Sequence, residues 1–145
     1  MNQEISRLFN WRQVTDHLQK IEGIQDQIQR DYMEAVRELR NDEYRDSVRD
    51  IGTASESLIQ VLCEDYYDED EIPTKTGKQL NKLDKSDDGI PSYIGKSITP
   101  AYWLRNKASH PTEYEITQDD AHYALLCFQT AVEKYVREYL DADVF

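Results

Sequence analysis

A chain of 145 residues, 39% of them hydrophobic, with ten tyrosines, three phenylalanines and two tryptophans, can bury the core of one domain. That composition excludes wholesale disorder. The 29 acids against 17 Lys and Arg leave a formal charge of −12, which argues against a general nucleic-acid-binding surface because phosphate contacts need cations.

No run approaches the ~18 apolar residues of a membrane helix, and the amino end, Met1-Asn2-Gln3-Glu4, lacks the basic and apolar parts of a signal peptide. Cys63 and Cys127 stand apart in apolar helical patterns, with no CxxC pair and no zinc spacing. The expectation is a cytoplasmic protein with two buried thiols, no cofactor, no metal site and no contact with membrane or DNA.

Ile5, Leu8, Val14, Leu18, Ile21, Ile24, Ile28, Tyr32, Ala35 and Leu39 recur every three or four residues, the period of a long amphipathic helix. Gly23 marks a bend in it, and Asn10-Trp11 a break after a short first helix. The near-heptad run from Val14 to Ile28 suits a bundle face or a contact with another chain. His17, beside that face, reads as half-buried. Asn41-Asp42-Glu43 ends the helix and supplies an N-cap to the next, in which Tyr44, Val48, Ile51, Ser55, Leu58, Ile59 and Leu62 form the buried stripe. The two helices should pack antiparallel. Small residues at Gly52, Thr53 and Ala54 permit close helix approach, and Glu56, following Arg49, reads as half-buried and paired.

Residues 64–71 hold six acids in eight positions, which oppose the helix dipole, so this helix should fray by about Tyr67. Without glycine or alternating ligands the run reads as a solvated end. A short basic helix from Thr74 to Leu83, anchored by Leu80 and Leu83, follows. Asp84, Ser86, Asp88 and Gly89 match half of a calcium loop, but Gly95 stands where the closing glutamate belongs. Ile90-Pro91-Ser92-Tyr93-Ile94 reads as extended or turn-like. Thr99 and Pro100 then open a helix as N-cap and first helical residue, with Ala101, Leu104 and Ala108 on one stripe.

Thr117-Gln118-Asp119-Asp120 resembles a capping box. The last helix carries Ala121, Leu125, Phe128, Val132, Tyr135 and Tyr139, with His122 exposed in its first turn. No segment alternates with period two over a useful length. The fold class expected is all-α: a single domain, 1–145, built as an up-and-down bundle of four to five helices, with a long helix or helix pair over 1–40 and a core over 42–140.

The chemistry concentrates in Arg105-Asn106-Lys107-Ala108-Ser109-His110-Pro111. In one continuous helix Arg105 and His110 would lie roughly 140° apart and could not act on one atom. Pro111 disfavours the α region for His110, so the helix should stop near Ser109 and let the two converge. A guanidinium offers a planar fork to phosphate oxygens and an imidazole moves protons near neutral pH, a combination suited to phosphodiester chemistry. The plainer reading is an arginine in a surface ion pair and a histidine capping carbonyls. Seven cations against three acids between Lys75 and His110 make this the basic segment of an acidic chain, which nominates Lys96 and Lys107 as substrate-binding cations.

The order of elements, together with the Arg105, Asn106 and His110 motif, resembles the HEPN superfamily of small helical domains, whose signature is an Arg, four to six residues and a His. Here the gap is four, with the polar Asn106 after the Arg. The likeness covers roughly 42–140. It implies an endoribonuclease that needs no metal and whose site forms where two protomers meet in a homodimer. By that likeness His110 handles the 2′-hydroxyl or leaving-group proton, Arg105 stabilises the crowded phosphate and Asn106 orients one of them, leaving a 2′,3′-cyclic phosphate. It further implies a place in toxin–antitoxin or antiviral defence, with an antitoxin-like protein partner. The alternative is a non-catalytic nucleotide-binding or protein-interaction module, or an acid-rich adaptor in which Arg105 and His110 are only structural.

Overall fold

The computed structural model describes residues 11–20, 26–86, 89–110 and 114–140. The apolar spacing becomes six α-helices there: α1 (Trp11–Lys20), α2 (Asp26–Arg40), α3 (Tyr44–Tyr66), α4 (Thr76–Asp84), α5 (Gly89–Ala108) and α6 (Gln118–Lys134). A 3-10 turn (Glu69–Glu71) follows α3, and a wider π-helical turn (Tyr135–Leu140) continues α6. Among the described residues there is no strand, and no helix is long and apolar enough to cross a membrane. The expectations for Ile5, Leu8, Asn10, Ile21 and Ile24, for the bend at Gly23, and for Asp88 and Pro111 lie outside the described residues.

Helix α3 is the centre of the bundle, touching α2, α4, α5 and α6. Its buried residues occupy more than one face, because Val48, Ile51, Ala54, Leu58, Ile59 and Leu62 meet different neighbours. Each large aliphatic side chain buried there contributes about 1.5–3 kcal/mol of transfer free energy. The three residues between α2 and α3 force an antiparallel pair, pinned where the Ser47 hydroxyl donates to the Ala35 carbonyl at 2.7 Å. Helices α5 and α6 are antiparallel too. Lys107 meets Asp120 at one end of that pair, and Lys134 lies over the Tyr93 ring at the other.

Several expectations are met in detail. Helix α3 ends at Tyr66 as its acidic tail begins, and Leu80 and Leu83 are buried. The capping box forms: Asp120 N–H donates to the Thr117 hydroxyl at 3.2 Å, and Thr117 N–H to the Asp120 carboxylate at 3.1 Å. Both cysteines are buried and outside any disulfide, and burial pushes the Cys63 thiol up to about 11, which leaves it unreactive. His17 is buried outright rather than half-buried.

Other expectations are corrected. Among the described residues six helices stand where four to five were expected; of the two forms left open for the N-terminal part, these residues form the pair α1 and α2. Residues 90–94 are neither extended nor a turn, and α5 does not begin at Pro100: one helix runs from Gly89 to Ala108 with Pro100 inside it. Pro91 takes the first-turn slot, where a missing N–H costs nothing. Ile94, Ile98 and Ala101 are fully buried on both sides of Pro100, and that packing holds the helix through it. The Thr99 side chain is no N-cap; its hydroxyl donates to the Gly95 carbonyl one turn back at 2.7 Å. At the α2–α3 break the N-cap position falls to Glu43, which makes no side-chain cap bond. His122 is half-buried rather than exposed.

Among the described residues one acid is buried. Glu38, near the end of α2, is 6% exposed; burial first, and then neighbouring Asp50, push its carboxyl up to about 8. The folded state therefore holds a proton that the unfolded chain releases above its ordinary value of 4.5, so this group's contribution is complete below that pH and is lost as pH rises through about 8. Glu38→Gln should flatten the stability–pH curve in that window and gain on the order of 1–3 kcal/mol at pH ~8.5. Urea melts in metal-free buffer check this; an unchanged slope between wild type and variant refutes it.

Candidate functional site

Helix α5 closes its last turn at Ala108. Ser109 N–H donates to the Arg105 and Asn106 carbonyls at 3.1 and 3.2 Å, and His110 N–H to the Lys107 carbonyl at 3.2 Å. The Ser109 hydroxyl adds a bond to the Arg105 carbonyl at 3.0 Å. His110 thus stands one residue beyond the final turn, exposed, its ring edge-on to Tyr114 with centroids 6.2 Å apart. The end of the helix between Arg105 and His110 agrees with the sequence reading.

Arg105 faces α3. Its stem crosses Gly52, where an added Cβ would lie 2.3 Å from the Arg105 Cβ, and its Nη1 donates to Glu56 Oε1. The small residues on α3 therefore serve the close approach of α5, and the partner of Glu56 is Arg105, on another helix. Both side chains remain about one-third exposed, at 32% and 33%. Among the described residues this is the only side-chain bond of the guanidinium, so Nε and Nη2 keep donors for an incoming anion. The pair sits in the last turn of α5, where cations also meet the negative end of the helix dipole.

Arg45, in the first turn of α3, is a residue that sequence reasoning missed. Its Nη1 donates to the Ala108 carbonyl at 2.5 Å, and its Nη2 to the Tyr114 carbonyl. One guanidinium thereby satisfies a carbonyl at the end of α5 and ties down the far side of the His110 segment. In the sequence Arg45 is one more cation in an amphipathic helix, with no local signal of this reach. Arg45→Ala should cost about 1–3 kcal/mol and raise amide exchange at Ser109, His110 and Tyr114. Unaltered exchange at those amides would show that the segment is held by other means.

The remaining nominees divide. Asn106 is half-buried in the same turn as Arg105. Lys107 is paired with Asp120 at 3.7 Å, which joins the end of α5 to the start of α6. Lys96 is not brought to this end. Because α5 is continuous, Lys96 lies nine residues before Arg105, roughly 180° around the axis and about 13 Å along it. It pairs with Asp84 of α4 at 3.5 Å and lines a groove with Pro100 and Trp103.

Chemically, then, one end of the bundle holds an arginine oriented by a carboxylate and, past a helix terminus, an exposed imidazole. No protein-family model, no characterised protein and no solved structure matches this chain.

Proposed function

We propose that this protein is a metal-independent endoribonuclease of HEPN type, acting as a homodimer whose site is assembled from the Arg105 and His110 of two protomers. The observation that carries the reading is the helix terminus between those residues, with Arg105 held by Glu56 and His110 exposed beyond it. His110 would accept the 2′-hydroxyl proton or return one to the leaving oxygen, and Arg105 would stabilise charge on the phosphate through its unused donors. Asn106, in the same turn, is the orienting amide. Lys107 supplies positive charge at the edge once Asp120 yields it. Toxin-like or antiviral roles, with an antitoxin-like partner, go with this reading. RNA incubated with the full chain in EDTA should be cut to 2′,3′-cyclic phosphate ends by a species that sizes as a dimer. Intact RNA with a folded dimer refutes it.

The exposed Tyr93, Trp103, Tyr123 and Leu126 on α5 and α6 favour a second reading, a protein-interaction module. The same incubation separates the two.

A further inference from the structure

The outer face of α5 joins charge to an exposed ring. Trp103 is the most exposed large apolar side chain among the described residues, at 57%, and its indole meets the Tyr102 ring at a centroid distance of 5.4 Å. It lines a groove of about 300 Å³ between α4 and α5, together with Gly77, Leu80, Lys96, Thr99 and Pro100. The wall is open at Gly77, since nothing lies within 4 Å of where a Cβ would stand. At about 100° per residue, Lys96, Pro100, Trp103 and Lys107 fall within roughly 60° of one another on the continuous α5. Lys96 lies about 10 Å before Trp103 along the axis and Lys107 about 6 Å after it, and His110 follows, exposed, beyond the last turn. A cation, a ring, a second cation and an imidazole thus succeed one another along one helix. Each lysine is held loosely: Lys96 is 3.5 Å from Asp84 and Lys107 3.7 Å from Asp120, longer than the roughly 2.7–2.9 Å of a charge-assisted hydrogen bond.

We propose that this groove holds one unpaired base of a single-stranded RNA against the Trp103 indole, with phosphates on Lys96 and Lys107 leading the strand toward His110. The choice of RNA rests on the endoribonuclease reading; the position of the subsite rests on this face of α5. Every base has a flat π-face, so an exposed ring between two cations accepts a strand of any sequence, whereas a duplex keeps those faces stacked on one another. Charge selects the same occupant. Residues 75–110 hold seven cations against three acids in a chain of net charge −12, so a polyanion is attracted here and repelled elsewhere. Tyr93, the other exposed ring of α5, already has Lys134 over it at 3.4 Å, so one of its faces is taken. Asp84 stands in the groove beside Lys96 and opposes phosphate there, which keeps the affinity moderate. Arg105 lies about 160° around α5 from Trp103, so the arginine that meets the strand is that of the second protomer.

Binding is read apart from cleavage. The full chain carrying His110→Ala, which keeps the strand intact, is titrated in EDTA against an unstructured fluorescent RNA oligonucleotide, and the anisotropy is followed at several salt concentrations. The single strand should bind saturably, and the same strand annealed to its complement at least about tenfold more weakly. Adding Trp103→Ala should weaken the single strand by about 5–150-fold, and Trp103→Phe, which keeps a ring, should recover most of that loss. Lys96→Ala should reduce the slope of log affinity against log salt by about 0.7, and Asp84→Asn should tighten binding by about two- to fivefold. With His110 restored, Trp103→Ala should raise KM for cleavage and leave kcat nearly unchanged. The indole is more than half exposed, so these variants keep the bundle folded. Trp103-dependent binding of a strand that the wild-type chain never cuts supports the subsite and refutes the endoribonuclease reading. RNA cut by the wild-type chain but bound equally well after Trp103→Ala overturns the subsite alone and leaves that face to a protein partner. Equal affinity for the single strand and the duplex, or no saturable binding by about 100 μM protein, overturns the subsite as well.

Discussion

Arg105→Ala and His110→Ala are each expected to lower RNA cleavage in EDTA by at least about 10²-fold while the helical bundle remains folded. Positioned proton transfer contributes typically 10²–10⁴-fold, and loss of one preorganised donor to a developing charge about 10²–10³-fold. The fold should survive both. His110 is exposed, and its replacement should move stability by less than about 0.5 kcal/mol. Removing Arg105 leaves Glu56 without that partner, but a carboxylate one-third exposed is still hydrated, and such pairs are worth about 0–1 kcal/mol. Arg105→Lys keeps the charge and loses the fork, so it should recover only a minor part of the activity. If either alanine variant cleaves at the wild-type rate, its residue has no part in the chemistry.

Gly52→Ala should destabilise the protein by about 1–3 kcal/mol, although alanine is the better helix former. In an unpacked helix the exchange would gain about 1 kcal/mol. Here the new methyl would fall 2.3 Å from the Arg105 Cβ and 2.5 Å from its Cδ. The near atom is the base of the side chain, which cannot swing away, so α3 and α5 must separate and the surrounding core loosens. The same displacement carries Arg105 off its line to Glu56, so activity should fall along with Tm. Gly77→Ala is the control: nothing lies within 4 Å of a Cβ there, and the helix preference should act unopposed. Equal Tm changes at the two glycines would mean that the α3–α5 contact is not as close as described.

The legibility of these features follows the range of the forces behind them. The α3 stripe, the fraying at Tyr67, the capping box at Thr117 and the end of α5 before His110 are all decided within one or two helical turns, by dipole, cap and period. Pro100 was misleading because its local rule is sound but outweighed. The burial of Ile94, Ile98 and Ala101 against the bundle offsets one lost backbone bond, and nothing within a few residues of Pro100 announces that burial. Lys96 was misplaced for the same reason, since a continuous helix turns it to the far side from Arg105.

Three reaches across the bundle decided the candidate site. Gly52 is readable as a small residue, yet only the crossing of α5 makes it the seat of Arg105. Glu56 is readable as a pairing acid, yet its partner lies 49 residues away. Arg45 carries no readable sign of spanning 63 and 69 residues to two carbonyls. Helix type, the C-terminal ends of α3 and α5, the cap of α6 and the chemical groups at position 105 and position 110 come from local sequence, because each depends on neighbours along the chain. Which groups face one another, and how deeply Glu38 is buried beside Asp46, depend on how whole helices pack, a balance of many weak contacts that no short stretch contains.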